Sequence, residues 1–367
     1  MADVRGYGKQ KGSFMKPFFS LIIPCCDVEP YVRECLDSVL AQPFREWECL
    51  VGVESSKDKT EEIVREYSSR DSRIKMFTGP RSGSCSASRN TGTELARGEY
   101  VIFLDGDDTI AENSLERLFR EISERPGADL YPCVILANNE MTGEKEVRDN
   151  YPADVTGEMT GPEATMLLEH TKLNPSPMLQ FTIFRREFLM EHNLRCIHGL
   201  RHQDSEFSPR ALFLAKRVIP LHDPFYLYRI RENSVQTKAK GLGYFHRDFA
   251  VGLKSLFAFH AAVSREPGFD RRVAASWARA WCTTLFIKWF SRDFVREIPR
   301  RERLETLKII FADGFGDFDD LLKAGTLRRR IAGWWVKFFF RHPSMGWLAE
   351  QFFLLGYFPL LKMKNGK

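Results

Sequence analysis

Tyr100-Val101-Ile102-Phe103-Leu104-Asp105-Gly106-Asp107-Asp108 runs an apolar strand straight into three carboxylates, and this stretch decides how the rest of the chain reads. Crowded carboxylates at the end of a buried run repel one another and lose hydration, so they need a cation or a set of donors to compensate them. A hard divalent ion suits that need, because it takes one or two carboxylates and fills its remaining positions with phosphate oxygens and water. The plainer alternative is an acidic turn in which Asp108 caps a helix beginning near Asn113.

Working outward, residues 18 to 136 alternate apolar strands with helical patterns, the signature of an α/β domain with a mostly parallel sheet. Phe18 to Ile23 reads as a strand ended by Pro24. Val32, Cys35, Leu36, Val39 and Leu40 then form one apolar helix face. Trp47 to Val53 and Arg73 to Phe77 read as strands flanking a helix that turns Ile63, Val64 and Tyr67 inward. Ser86 to Arg97 is predicted helical and closed by Gly98, and Leu130 to Leu136 reads as one strand. Beyond Pro175-Ser176-Pro177 comes a strand-like Gln180 to Phe184, and from about Tyr244 the chain reads as helical. Polar clusters fall at strand C-termini, where open α/β sheets bind ligands.

With 367 residues and 30 Phe the chain can build a large core. Its eight cysteines contain no C-x-x-C pair, which favours a reducing cytosol over a disulfide framework or a zinc site. Residues 1–16 are polar and basic without the apolar core of a signal peptide, so a flexible leader is expected. The net charge is +5, yet Leu321 to Lys367 holds nine Lys or Arg against the single acid Glu350. The positive charge therefore belongs to the tail. Residues 327–341 set Arg328, Arg329, Arg330, Lys337 and Arg341 beside Trp334, Trp335, Phe338, Phe339 and Phe340, a composition suited to an anionic membrane interface. A core-packed helical hairpin is the other reading of that tail. No run reaches the ~18 apolar residues that spanning requires, and nucleic-acid binding is disfavoured because the aromatics cluster with aliphatics.

Four clusters could carry chemistry. Glu54-Ser55-Ser56-Lys57-Asp58-Lys59-Thr60 combines a helix start with a carboxylate able to accept from a base or ribose. Ser86-Ala87-Ser88-Arg89-Asn90-Thr91-Gly92 holds an arginine among small residues, where the alternative is an ordinary surface ion pair. The acidic turn is the third. Gly199-Leu200-Arg201-His202-Gln203-Asp204 offers Asp204 as a candidate base.

In this order and spacing the clusters resemble the family 2 glycosyltransferases of the GT-A fold, over roughly Phe18 to Thr237. The matching segments are Leu21-Ile22-Ile23-Pro24, Val53 to Thr60, Ser88-Arg89-Asn90-Thr91-Gly92, Asp105-Gly106-Asp107-Asp108 and Gln203-Asp204. Tyr226-Leu227-Tyr228-Arg229-Ile230-Arg231-Glu232-Asn233-Ser234 looks like the Y-x-Y-R-x-R-x-x-S ending of members that build bacterial surface polysaccharides. Three departures stand out: Val53-Glu54 for paired aspartates, Gln203 for a glutamate, and Ser82 and Ser84 where Asn and Gly are common.

The resemblance implies a Rossmann-like nucleotide-sugar domain over 17–237, with a nucleotide half at 17–136, an acceptor half at 137–237 and a helical C-terminal region at 238–367. It implies an inverting transfer from a nucleotide-diphosphate sugar, with UDP first in expectation, to a glycan or lipid-linked acceptor. Mn²⁺ or Mg²⁺ would be held by Asp107, with Asp108 the alternative ligand. Pro24, Glu54, Asp58, Arg89, Asp105, Gly106, Asp108, Arg229 and Arg231 would bind the donor, and Asp204 would be the base. A cytoplasmic protein, peripheral on the membrane through 327–367, is expected. The non-enzyme alternative is a nucleotide-sugar-binding scaffold of a polysaccharide assembly complex. A processive synthase would need membrane spans and a Q-x-x-R-W motif, which the sequence lacks.

Overall fold

The computed structural model describes residues 16–170, 179–232, 246–266, 300–312, 314, 337 and 341. These residues group into two units, the first ending at Ser234 apart from a short excursion at 165–171. The tail from 327 onward lies outside the described residues except for Lys337 and Arg341.

The first unit is built on a six-stranded sheet. Its members are β1 (Phe19–Cys25), β2 (Trp47–Glu54), β3 (Ile74–Gly79), β4 (Tyr100–Phe103), β6 (Leu130–Pro132) and β9 (Thr182–Arg185), in the order β3-β2-β1-β4-β9-β6. The first four run parallel, while β9 is antiparallel to both neighbours. Because the chain leaves β1 toward β2 and β3 and later returns to β4 on the other side, the order reverses between β1 and β4. A crevice opens at such a switch point, outside the strand C-termini.

Helices α1 (Val32–Leu40), α2 (Thr60–Arg70), α3 (Ser86–Leu95) and α4 (Ser114–Glu124) follow the expected periodicities. Val32, Cys35, Leu36 and Val39 of α1 and Ile63, Val64 and Tyr67 of α2 are buried. Every residue of β1 and β2 is buried as well, as befits strands covered on both faces. Each aliphatic side chain sunk this way stabilises the fold by about 1.5–3 kcal/mol, so the site rests on a stiff base.

Three local expectations need correction. The strand at 130–136 is broken: β6 stops at Pro132, Cys133 donates its N–H to Phe181 O at 2.6 Å, and β7 (Val134–Asn139) joins another sheet. Proline has no N–H for a ladder, so it marks the point where the chain changes sheets. That second sheet has the order β5-β10-β7-β8, with β5 (Thr109–Ile110), β8 (Lys145–Arg148) and β10 (Pro224–Ile230). Residues 179–181 form a single 3₁₀ turn, and the strand begins only at Thr182. Finally, α3 ends at Leu95, not at Gly98. Gly98 is needed for close approach instead, since a Cβ there would lie 2.6 Å from Ser20 N.

In the second unit, helices His246–Val263 and Arg300–Ile310 pack on each other, burying Ala250, Leu253, Leu256, Phe257 and Ala261 of the first and Thr306 and Ile310 of the second. Among the described residues no helix is long and apolar enough to cross a membrane.

Candidate active site

The loop after β1 and the loop after β2 are laced together. Asp27, Val28 and Glu29 donate their backbone N–H groups to Ser56 Oγ, Thr60 Oγ1 and Asp58 Oδ2 at 3.2, 2.9 and 2.9 Å. In return Lys57 N–H reaches Asp27 Oδ1 and Lys59 N–H reaches Glu29 Oε2. Asp27 sits in the left-handed region at φ 52°, a conformation that costs free energy for a non-glycine residue. Its carboxylate also takes Arg81, and the Lys57 N–H and Arg81 together hold it below the usual carboxylate range. Asp58 is occupied in the same way, with its second oxygen accepting from Thr60 N–H.

Glu54, at the end of β2, is also committed. It is 5% exposed and accepts from Ser82 N–H at 2.8 Å, Ser82 Oγ at 2.9 Å and Ser88 Oγ at 3.3 Å. Ser82, one of the two serines that depart from the family pattern, thus holds the glutamate that departs from it, with Ser88 as its second partner. Pro24 lies inside β1, which continues to Cys25, so the proline does not end the strand as its missing donor suggested. Its carbonyl faces Gly106, where a Cβ would meet Cys25 Sγ at 2.8 Å and Pro24 O at 3.2 Å. Only glycine lets the acidic turn fold down on β1.

The three carboxylates of the turn divide into distinct roles. Asp105 accepts Arg89 on one oxygen and Gln180 Nε2 on the other, both at 2.5 Å. Arg89 is 5% exposed, so it is a buried partner and not a surface ion pair. Burial opposes its charge, but Asp105 together with Cys85, Cys196 and Asp204 outweighs that and keeps the guanidinium protonated. Asp108 is 1% exposed and takes the Tyr226 hydroxyl at 2.6 Å and the Arg229 N–H at 2.7 Å. It neither caps α4 nor presents a free carboxylate. Burial, then Asp107 and Asp105, push its pKa well up, against the pull of Tyr226 and the Arg229 N–H.

Asp107 remains at the mouth, its side chain 25% exposed, paired with Arg231 through Oδ2 at 2.8 and 3.1 Å. Burial first, and Asp105 second, raise its pKa, with Arg231 opposing. The two arginines of β10 and its exit differ. Arg229 is gripped by Glu34, Glu140 and the Asp107 carbonyl, whereas Arg231 holds the Asp107 carboxylate, and both lie over the Tyr31 ring, at 5.2 and 4.6 Å.

Asp204 opens helix α7 (Asp204–Leu214). Burial raises its pKa, while His202, Arg89 and the Ser205 N–H pull it down and Asp105 pushes it further up. That mutual influence places Asp204 in the same electrostatic neighbourhood as the Arg89–Asp105 pair. Arg89 Nε, Gln180 Oε1 and Gln203 Oε1 are buried there without hydrogen-bond partners. Buried polar groups are rarely orphaned, and such a concentration fits a site completed by water or ligand.

Sequence reasoning passed over Gln180, Asp27 and Arg81, none of which stands in a recognisable pattern. Tyr226 had a signal, its place in the Tyr226-x-Tyr228-Arg229 segment.

The donor set suits a divalent ion bound with a diphosphate. Among the described residues no three His, Cys, Asp or Glu side chains are arranged to hold a metal on their own. Asp107 and Asp105 are exposed to the same degree, 25% and 24%, but both oxygens of Asp105 are held by Arg89 and Gln180, and one or two carboxylates is the number such an ion takes when phosphates and water fill its other positions.

Together these features define a GT-A architecture, and comparison with known proteins agrees. The profile of glycosyl transferase family 2 matches residues 20–192. EpsJ of Bacillus subtilis strain 168, named an uncharacterized glycosyltransferase, is 31% identical over 227 residues, covering 60% of this chain and 63% of EpsJ. EpsH of the same organism is 30% identical over 253 residues, covering 68% of this chain and 70% of EpsH. The chain thus spans less than two thirds of EpsJ. The crystal structure of S. aureus TarS 1–349 in complex with UDP-GlcNAc superposes with a TM-score of 0.59 at 20% identity, over 89% of this chain and 92% of that one. The chain belongs to glycosyltransferase family 2 and has the GT-A fold.

Proposed function

We propose that the chain moves a sugar, a hexose or N-acetylhexosamine, from a UDP-sugar to a hydroxyl of a glycan or lipid-linked acceptor, with inversion, in cell-surface polysaccharide synthesis. What supports this reading is the buried Arg89–Asp105 pair just beyond β4, beside the reversal point of the sheet, with Asp107 two residues further on and Asp204 within the electrostatic influence of that pair. TarS, which has the same fold, was solved with UDP-GlcNAc, which supports a UDP-sugar donor.

The nucleoside would lie against the laced loops at 27–29 and 54–60, with Arg89 and Asp105 beneath the ribose. Asp107 would hold Mn²⁺ or Mg²⁺, which supplies charge stabilisation to the departing diphosphate. Arg231 would add a cationic donor to that leaving group, while Arg229, already gripped by two carboxylates, keeps the Asp107 backbone in place. Asp204 takes the proton of the acceptor hydroxyl as its oxygen forms a bond to the anomeric carbon. The bond from that carbon to the diphosphate oxygen breaks, and its electron pair leaves with UDP. An α-linked donor then gives a β-linkage. The acceptor half at 137–237 and a cytoplasmic, membrane-peripheral location through 327–367 belong to the same reading.

The test is slow hydrolysis of a panel of UDP-, GDP-, CDP- and dTDP-sugars with Mn²⁺, alongside calorimetry with the free diphosphates. Turnover of a UDP-sugar with selective UDP affinity is expected. Failure to bind any nucleoside diphosphate would sink the proposal, and selective turnover of another nucleotide sugar would overturn the UDP assignment.

A further inference from the structure

Helix α3 makes contacts in two directions from a single turn. Arg89 reaches Asp105 of the acidic turn. The adjacent Asn90 grips the backbone of Cys196 from both sides, donating Nδ2–H to its carbonyl at 2.8 Å and accepting its N–H on Oδ1 at 2.9 Å. Ser86, one turn earlier on the same face, accepts the Gly199 N–H on Oγ at 2.9 Å and is wholly buried. Three hydrogen bonds therefore fasten the 196–199 segment to α3.

That segment leads directly to Asp204. Leu200 closes a turn onto Ile197 O and is 4% exposed, leaving three residues before α7 begins. Arg210 of α7 reaches back to Arg195 O at 2.9 Å while paired with Glu206, so the approach to Asp204 is held from both ends. Gly199 itself adopts φ +77°, and neither its conformation nor its side chain would keep the segment in place without these bonds.

We propose that Asn90, assisted by Ser86, is a positioning residue for Asp204: it sets the distance between the base and the donor pocket by pinning the 196–199 segment to the helix that carries Arg89. The inference rests on the assignment of Asp204 as base. An amide gripping a backbone bidentately fixes direction as well as distance, and a misplacement of about 1 Å costs on the order of 100-fold in rate. Asn90 touches neither the donor pocket's laced loops nor the acidic turn, so UDP affinity does not depend on it.

The experiment compares wild type, Asn90→Ala, Ser86→Ala and Asp204→Asn, and adds Asn90→Ala to Asp204→Asn. Hydrogen exchange of peptides covering 194–206, UDP–Mn²⁺ affinity by calorimetry, and hydrolysis of UDP-GlcNAc are measured. Asn90→Ala should speed exchange in 194–206 at least tenfold, leave UDP affinity within about twofold, and lower kcat by about 10- to 100-fold. Ser86→Ala, which removes one bond of the three, should show the same pattern more weakly and guards against a misfolded Asn90 variant. In the Asp204→Asn background the Asn90 change should cost less than twofold, because the group it positions is gone.

Unchanged exchange in 194–206 would overturn the inference whatever the rates. A full repeat of the Asn90 loss on top of Asp204→Asn would overturn it too, leaving Asp204 as base intact. A wild-type rate in Asp204→Asn alone would instead remove the base assignment, and with it the positioning role.

Discussion

The Tyr226 hydroxyl donates to Asp108 Oδ2 at 2.6 Å and accepts the Asp105 N–H at 3.1 Å. One phenol from β10 thus ties the two ends of an acidic turn that lies more than a hundred residues earlier in the chain. This is how three carboxylates coexist: Asp105 is neutralised by Arg89, Asp108 is buried against a hydroxyl and an amide, and Asp107 is left at the mouth.

Tyr226→Phe should therefore destabilise the protein by about 1–3 kcal/mol, the cost of leaving a buried acceptor under-satisfied. Urea unfolding checks the stability. Because the turn also loses its tie at Asp105, Mn²⁺-dependent UDP affinity should fall in parallel, and a variant as stable as wild type would deny the hydroxyl its structural role.

Asp107→Asn should abolish the increment in UDP affinity that Mn²⁺ confers, with the thermal midpoint unchanged or slightly raised, since a raised-pKa carboxylate and its like-charge neighbour are relieved. Calorimetry with and without Mn²⁺ is the measurement. An unaltered metal-dependent increment would make the turn merely structural.

Asp204→Asn should lower turnover by roughly two to four orders of magnitude, the range for a general base, while UDP affinity stays near wild type. The pH profile carries a further sign. Burial raises the Asp204 carboxyl, and it acts ionised, so activity should fall as pH drops through values above the ordinary ~4 of a carboxylate. An acid limb at or below that ordinary value would exclude the raised Asp204 carboxyl from the rate.

His222 offers a test of stability against pH. Its Nδ1 lies 2.8 Å from Asp149 and its Nε2 2.9 Å from the Val155 carbonyl, two acceptors that only an imidazolium can satisfy with both nitrogens. Burial opposes the charge, but the Val155 carbonyl, Asp149 and the more distant Glu121 prevail and raise the pKa. The folded state therefore binds this proton more tightly than the unfolded chain. The stabilisation is fully present below the ordinary histidine value of ~6.5 and is lost as pH rises through the raised one. Relative to His222→Gln, the wild-type thermal midpoint should gain more at pH 5.5 than at pH 8.5, and a constant difference would deny the imidazolium.

A protein ending near Gly325 should bind UDP as the full chain does, yet no longer pellet with anionic vesicles. Salt should weaken the full-length interaction, because about 1 kcal/mol per basic residue at the surface is screened electrostatics. Aggregation of the truncated protein would return the tail to the core, and continued pelleting would place the membrane contact elsewhere.

Much of the donor side was legible because its signals are local. The apolar run ending in Asp105-Gly106-Asp107-Asp108, the face of α1 and the alternation of strand and helix all depend on neighbours a few residues apart. Leu130 to Leu136 was misread because the apolar pattern is continuous there, and only the Pro132 break and the pull of Phe181 show that the two halves serve different sheets. Gln180 had no signal, since a glutamine within an apolar stretch gains its meaning only from Asp105 opposite.

Periodicity, glycine placement and the order of polar clusters determined that this is an α/β glycosyltransferase fold with an acidic turn and a late aspartate. They could not say which carboxylates were already spent. Glu54 given to Ser82 and Ser88, Asp58 to the loop after β1, Asp108 to Tyr226, and Arg229 to Glu34 and Glu140 are pairings across 28 to 195 positions of sequence. The physical reason is that a charged group's chemistry is set by burial and by the partners within a few ångströms, and chain spacing encodes neither. Tertiary structure alone pairs Asp107 with Arg231 and sets Asp204 at the start of a helix.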